Sequence, residues 1–250
     1  HLAQILAAAG ARKHVLVDKP FALTRAEAER AIGACRKAGV VVAAAHNRRF
    51  LPVYGALKRM VDAGELGTIL HLEAHFSSPT AAAYRPGIWR ALRAENPGGG
   101  MAAMGIHMVD ALIGLGGPVA RVVARSTRRA LAIDVDDTTS MLLDFASGST
   151  GYLATLAATA SQWRLQVAGA RGWAEARDHT RLEVRLTGEP RRTMEFDPFD
   201  SVRAELEAFA AAIEGRAPYP IADAEVVNGI AVFEACARSA ETGQAIAIRA

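Results

Sequence analysis

His14-Val15-Leu16-Val17-Asp18-Lys19-Pro20 is a short apolar run halted by two charged residues and a proline. Proline has no backbone N–H and cannot continue a central strand, so the run reads as a strand that stops here. Upstream, residues 2–10 (LAQILAAAG) read as the tail of a helix ended by Gly10. Downstream, Thr24 caps a helix with Glu27 at capping-box spacing, and Gly39 closes it. Val40 to Ala45 is a second unbroken apolar run. Continuous apolar strands flanked by helices signal a parallel sheet covered on both faces. The chain therefore opens inside a strand–helix–strand array, and a short helix from Pro52 to Ala63 follows, closed by Gly64.

From Thr68 the pattern changes. His71, Glu73 and His75 alternate with Leu72, Ala74 and Phe76, the period-two signature of a half-buried strand. One helical stretch, Met101 to Leu115, interrupts. Strands are expected at 119–129, 138–145, 150–157, 163–168, 172–176, 181–187 and 191–196, with Ala146-Ser147-Gly148-Ser149 as a hairpin turn. Two helices, 201–214 and 223–242, close the chain. A run of strands followed by helices predicts an α+β domain on a mostly antiparallel sheet. The fold class is thus α/β plus α+β: part of a parallel sheet in residues 1–50, then a large α+β domain in 51–250.

Bulk properties exclude several classes. Of 250 residues, 51% are hydrophobic and 22% charged, which is neither disordered nor fibrous. The net charge of +3 comes with scattered arginines lacking aromatic interleaving, unlike a nucleic-acid-binding stripe. No apolar run reaches the roughly 18–20 residues that span a bilayer. Cys35 and Cys236 each lie in an apolar helical pattern and read as buried free thiols of a cytoplasmic protein. His1 runs straight into the Ala-rich helix with no signal peptide, and the lack of an initiator Met marks a start that is processed or not the natural one.

Lys19 stands at the carboxyl end of a buried parallel strand, where open α/β sheets bind ligands. With Pro20 beside it, the backbone is expected to be extended and the lysine aimed into the crevice. Asn47 and Arg48, at the end of the second strand, point toward the same crevice, with a loop-capping role as the alternative. A second constellation runs from Trp89-Arg90 through Pro97-Gly98-Gly99-Gly100 to His107 and Asp110, which share a helix face. Glycines let a backbone approach a ligand, and an imidazole is suited to moving a hydroxyl proton. Tyr84 and Arg85 precede the tryptophan as further candidates for substrate contact. His71, Glu73 and His75 superficially suggest a metal site but lack a third placed donor and supporting partners, so a polar sheet face is expected and no metal. Asp134, Asp136 and Asp137 lack the remaining spacing of a calcium loop.

Taken together, His14 to Pro20, the helix opened by Ala22-Leu23-Thr24, the strand ending in His46-Asn47-Arg48-Arg49-Phe50, and the W-R…G-G…H…D stretch resemble the glucose-fructose oxidoreductase/inositol dehydrogenase (Gfo/Idh/MocA) family. The resemblance spans essentially the whole chain. It implies an NAD- or NADP-dependent oxidoreductase that moves hydride at a secondary alcohol or carbonyl of a sugar-like or cyclic polyol substrate. It makes Lys19 and His107 catalytic, and gives the substrate Trp89, Arg90, Asp110 and Tyr84. Lys19, Pro20, Asn47 and Arg48 would face the cofactor. It also implies a homo-oligomer formed through the large sheet. Two departures stand out: Asp18 replaces the usual Glu before Lys-Pro, and Ala103 occupies the position of the usual Asp four residues before the histidine. The second keeps an alternative open, a catalytically inactive, nucleotide-sensing relative that binds another protein. Retention of Lys19 and His107 counts against it.

No G-x-G-x-x-G occurs, although dinucleotide binding relies on such a turn after a first strand. Two strand–helix–strand units ahead of His1 would supply it, on the order of 60–80 residues. Without them an apolar sheet edge is left unpaired, and the chain is expected to fold poorly or bind cofactor weakly.

Overall fold

A computed structural model describes residues 1–85, 87–88, 91–93, 96 and 98–249. Helix α1 (Leu2–Gly10) leads to strand β1 (Val15–Val17), helix α2 (Arg25–Ala38) and strand β2 (Val42–Ala44). The α2 boundaries follow from the cap chemistry. Thr24 accepts from the Glu27 backbone N–H at 3.2 Å, Glu27 reaches back to Leu23 N at 3.1 Å, and Gly39 ends the helix at φ 69°. Strands β1 and β2 pair in parallel, Val15 with Val42 through Val17 with Ala44. Both therefore present their carboxyl ends on one edge, which places Lys19 and His46 side by side.

After helix α3 (Pro52–Asp62) come β3 (Ile69–Ser77), α4 (Ile106–Gly116), β4 (Val119–Thr127), β5 (Thr138–Phe145), β6 (Thr150–Leu156), β7 (Gln162–Gly169), β8 (Gly172–Ala176), β9 (Arg181–Leu186) and β10 (Arg192–Glu195). Helices α5 (Ser201–Ile213) and α6 (Asp223–Thr242) and a two-residue strand β11 (Ile246–Ala247) complete the chain. The nine strands β3–β11 form one sheet in the order β10-β9-β8-β7-β3-β6-β5-β4-β11. Neighbours are antiparallel except β3 and β6, which run parallel at its centre.

One face of this sheet carries Leu72, Ala74, Leu143, Leu153, Leu165 and Val184, all buried in the main core with residues of α4 and α6. Helix α4 is apolar nearly all round (IHMVDALIGLG), which suits a helix enclosed on every side. The other sheet face is polar and ion-paired, with Glu73 held by Arg164 at 2.6 Å and His71 3.7 Å from Glu73. Among the described residues no helix is long and apolar enough to cross a membrane.

Two elements differ from the sequence reading. The helix expected over 101–115 is divided: Met101–Gly105 is one wide π turn, and α-helical geometry starts at Ile106. Strand β11 was not expected, because two residues are too short for a periodic signal; it adds to the sheet edge through Ile246–Val122.

Candidate active site

The site forms where the carboxyl ends of β1 and β2 meet the π turn and the start of α4. Leaving β1, the chain passes through Asp18, whose carboxylate accepts from Lys19 N at 2.8 Å, and the Lys19–Pro20 peptide is cis. The Lys19 ammonium donates to the Ala103 carbonyl at 2.8 Å. Its side chain, Tyr84, Asn96, Gly99, Ala103 and Met104 line a cavity of about 370 Å³, closed on the sheet side by Phe76, Ser78 and Ala157. Gly99 is required there: at φ 56°, any Cβ would lie 2.0 Å from the Asp136 carbonyl oxygen. The glycine run thus serves close approach of two backbones as well as lining the cavity.

His107 follows Ala103 by four residues and is 8% exposed. Its Nδ1 is enclosed without a hydrogen-bond partner. Burial, with His46, Lys19 and Arg48 nearby, holds its pKa well below the usual imidazole value. At neutral pH His107 is therefore a free base. His46 packs against it edge-on, ring centroids 5.7 Å apart, and burial with the charges of Arg49 and Lys19 lowers its own pKa to about 3.

Asp110 corrects an expectation. Instead of facing the cavity, its carboxylate lies 3.1 Å from Arg49 Nε in a buried pair. Arg49 also donates to Glu225 at 2.7 Å and to the Tyr54 hydroxyl. Burial raises the Asp110 pKa to about 7 against the opposing pull of Arg49. The i,i+3 spacing that puts Asp110 near the face of His107 also lets it turn inward, where a guanidinium awaits. This pair ties α4 to the segment after β2, and so bears on where His107 and His46 stand.

Of the other sequence candidates, Tyr84 shares the cavity with Lys19, whereas Trp89 and Arg90 lie outside the described residues. Asn47 donates to the Ser201 hydroxyl at 3.2 Å, the loop-anchoring alternative. Arg48 lies over the Phe76 ring, 6.0 Å from its centroid. Pro20 is half-buried behind Lys19. Sequence reasoning passed over His46, though its place at the end of a parallel strand was a usable signal. It also passed over Trp163 and His179, whose rings meet at 5.1 Å beside Phe76's strand. Nothing in their spacing announced that contact, which arises where β7 pairs with β8 and the β8–β9 turn returns toward Trp163.

A family model for the NAD-binding Rossmann fold of an oxidoreductase family (GFO/IDH/MocA) matches residues 1–46, and one for the GFO/IDH/MocA C-terminal domain matches 54–175. The chain belongs to the Gfo/Idh/MocA family. D-xylose 1-dehydrogenase (NADP(+)) 2 of Haloferax volcanii is 29% identical over 98% of this chain and 76% of its own length. The aldose-aldose oxidoreductase of Caulobacter crescentus superposes with a TM-score of 0.87 at 26% identity, covering 99% of this chain and 76% of that one. A levoglucosan dehydrogenase crystallised with NADH and levoglucosan shares the fold (TM-score 0.89, 20% identity, 99% and 76% covered). The alignments to the first curated relatives span only 29 to 39% of those proteins. This Gfo/Idh/MocA chain thus keeps the fold of its relatives around the Lys19–His107 crevice.

Proposed function

We propose that this chain carries the substrate side of an NAD(P)-dependent oxidoreductase acting on a secondary alcohol or carbonyl of a sugar-like or cyclic polyol substrate. The observation that carries the reading is the convergence of Lys19, from the end of β1, with Ala103 and Met104, on the turn that leads into His107, at one cavity. The residues fit the nicotinamide end of such a cofactor: the crevice lies at the carboxyl ends of parallel strands, and His107 holds an unprotonated imidazole four residues beyond Ala103. Lys19 and Pro20 are the residues that would face it, whereas Asn47 is engaged by Ser201. A bound nicotinamide supplies the hydride acceptor or donor.

The remaining chemistry belongs to this chain. During oxidation His107 Nε2 accepts the hydroxyl proton, and during reduction it returns that proton to the new alkoxide. The Lys19 ammonium donates a hydrogen bond to the same oxygen, stabilising the negative charge that develops there. The Ala103 carbonyl fixes the ammonium in place meanwhile. Tyr84 and Asn96 orient the substrate in the cavity. Asp110 acts at one remove, through Arg49.

The open face of the nine-stranded sheet, with Val123 and Leu142 exposed upon it, packs in this reading against a second copy. The two unpaired buried thiols suit a cytoplasmic enzyme. The test begins with titration of NAD and NADP, oxidised and reduced, into this chain and into a form extended upstream. Turnover of polyols and aldoses is then compared with that of His107→Ala. A loss of about 10²- to 10⁴-fold is expected for removal of a general acid/base. Turnover near wild type in His107→Ala would defeat the assignment, and binding of neither cofactor by either form would favour a regulatory relative.

A further inference from the structure

Arg48 is the unusual charge in this region. The neighbouring Arg49 has Asp110 and Glu225, and Arg164 on the sheet has Glu73. Arg48 is half-buried, and among the described residues it has no ion pair; its Nε is enclosed without any hydrogen-bond partner. A desolvated guanidinium without a counter-ion is costly, and burial alone depresses its pKa. Around it stand further donors in the same condition. Trp163 Nε1 and His179 Nε2 are both enclosed and unpartnered. The Arg48 charge reaches His107 on one side and His179 on the other, lowering the pKa of each. Phe76, under the guanidinium, also lines the Lys19 cavity, and no acidic side chain among the described residues lines it.

We propose that Arg48 is a specificity residue that receives an oxyanion of the substrate, carboxylate or phosphate, so that the compound processed at Lys19 and His107 is a sugar acid or sugar phosphate. The inference rests on the oxidoreductase reading above and narrows its substrate class. A guanidinium fork matches a planar carboxylate or a phosphate with paired hydrogen bonds, and such bonds are stronger when partly desolvated. An oxyanion could also come from a cofactor phosphate. The substrate is favoured because the groups around Arg48 (Phe76, Trp163 and His179) belong to the nine-stranded sheet and the β8–β9 turn, not to the β1–β2 pair.

The test is calorimetric binding to the 250-residue chain without cofactor, comparing glucose with glucuronate and glucose 6-phosphate, and galactose with galacturonate. At least one anionic sugar is expected to bind tenfold or more tightly than its neutral parent. Arg48→Gln should reduce that preference to near unity, while Arg48→Lys retains part of it and serves if the glutamine variant melts early. NAD and NADP titrated into the same variants separate the two sources of oxyanion. The proposal is overturned if no anionic sugar outbinds its parent, if Arg48→Gln leaves the preference intact, or if that variant weakens only NAD or NADP. Turnover is read separately. Anion preference with no hydride transfer for any sugar would sink the oxidoreductase reading alone, whereas equal turnover of neutral and anionic sugars would sink the specificity assignment alone.

Discussion

His46 and Arg49 show how a few buried side chains set the character of this site. With a folded-state pKa of about 3 against 6.5 when free, His46 stays neutral in the fold while an unfolded chain would take up a proton. Its contribution to stability is full above pH 6.5 and is lost as the pH falls toward 3. At about 1.4 kcal/mol per pH unit, the loss between pH 6.5 and 5 is roughly 2 kcal/mol. Urea unfolding at pH 7 and pH 5 should therefore show wild type losing about that much more than His46→Gln; equal losses would mean that the imidazole is protonated in the fold. Gly114 on α4 has a different duty. A Cβ there would sit 1.2 Å from Arg49 Nη1 and 2.3 Å from the Tyr54 hydroxyl, so Gly114→Ala must expel the guanidinium from Asp110. Breaking a buried pair costs about 3–5 kcal/mol, and a drop in the urea midpoint of that order is expected, with no change if the arginine can re-seat. At this scale Lys19 and His107 were legible because strand-end position and a matching motif coincide. Arg48's isolation and Asp110's inward turn were not, since both depend on partners more than 25 residues away in sequence.

Among the elements, α4 and the turn before it matter most for the chemistry. The π turn at Met101–Gly105 closes i→i+5 bonds in place of the i→i+4 bonds of an α-helix, and it is here that the Ala103 carbonyl meets Lys19. Gly105 permits it: a Cβ would lie 2.3 Å from Met101 Sδ. Gly105→Ala should therefore shift Met101 and, with it, the Lys19 acceptor. The expected outcome is a rise in KM or a fall in kcat in the cofactor-loaded enzyme, larger than the change in melting temperature would explain. Apolar periodicity announces a helix over these residues but is blind to its hydrogen-bond pattern, because the glycine and two alanines of Met101–Gly105 carry no phase information. Helix α2, in contrast, was readable to within a residue, since Thr24, Glu27 and Gly39 are local capping signals that act through their own neighbours.

At the level of the whole molecule, the two sheets divide the work: β1 and β2 present the lysine, and the nine-stranded sheet supplies the far wall. The strand positions were visible as alternation, whereas their spatial order was not, because register between β3 and β7 is set by packing some 90 residues away. The open sheet face makes the assembly testable. Leu142, 57% exposed, and Val123, 40% exposed, are cross-strand neighbours on it. Light scattering should report a dimer or larger species that dissociates in Leu142→Lys; a monomeric wild type would remove this face as the interface.

The parallel β3–β6 pair has a bearing on how the chain is made. Strand β3 ends at Ser77, yet both of its neighbours, β6 and β7, lie between Thr150 and Gly169. At about 5–20 residues per second, a ribosome takes roughly 5–18 s to synthesise the ~90 residues that must emerge before β3 can hydrogen-bond on either side. Throughout that interval a nine-residue segment, ILHLEAHFS, has both edges bare. The centre of the finished sheet is thus the part that waits longest for a first partner, and the nascent chain is most exposed to self-association where the mature protein is most enclosed.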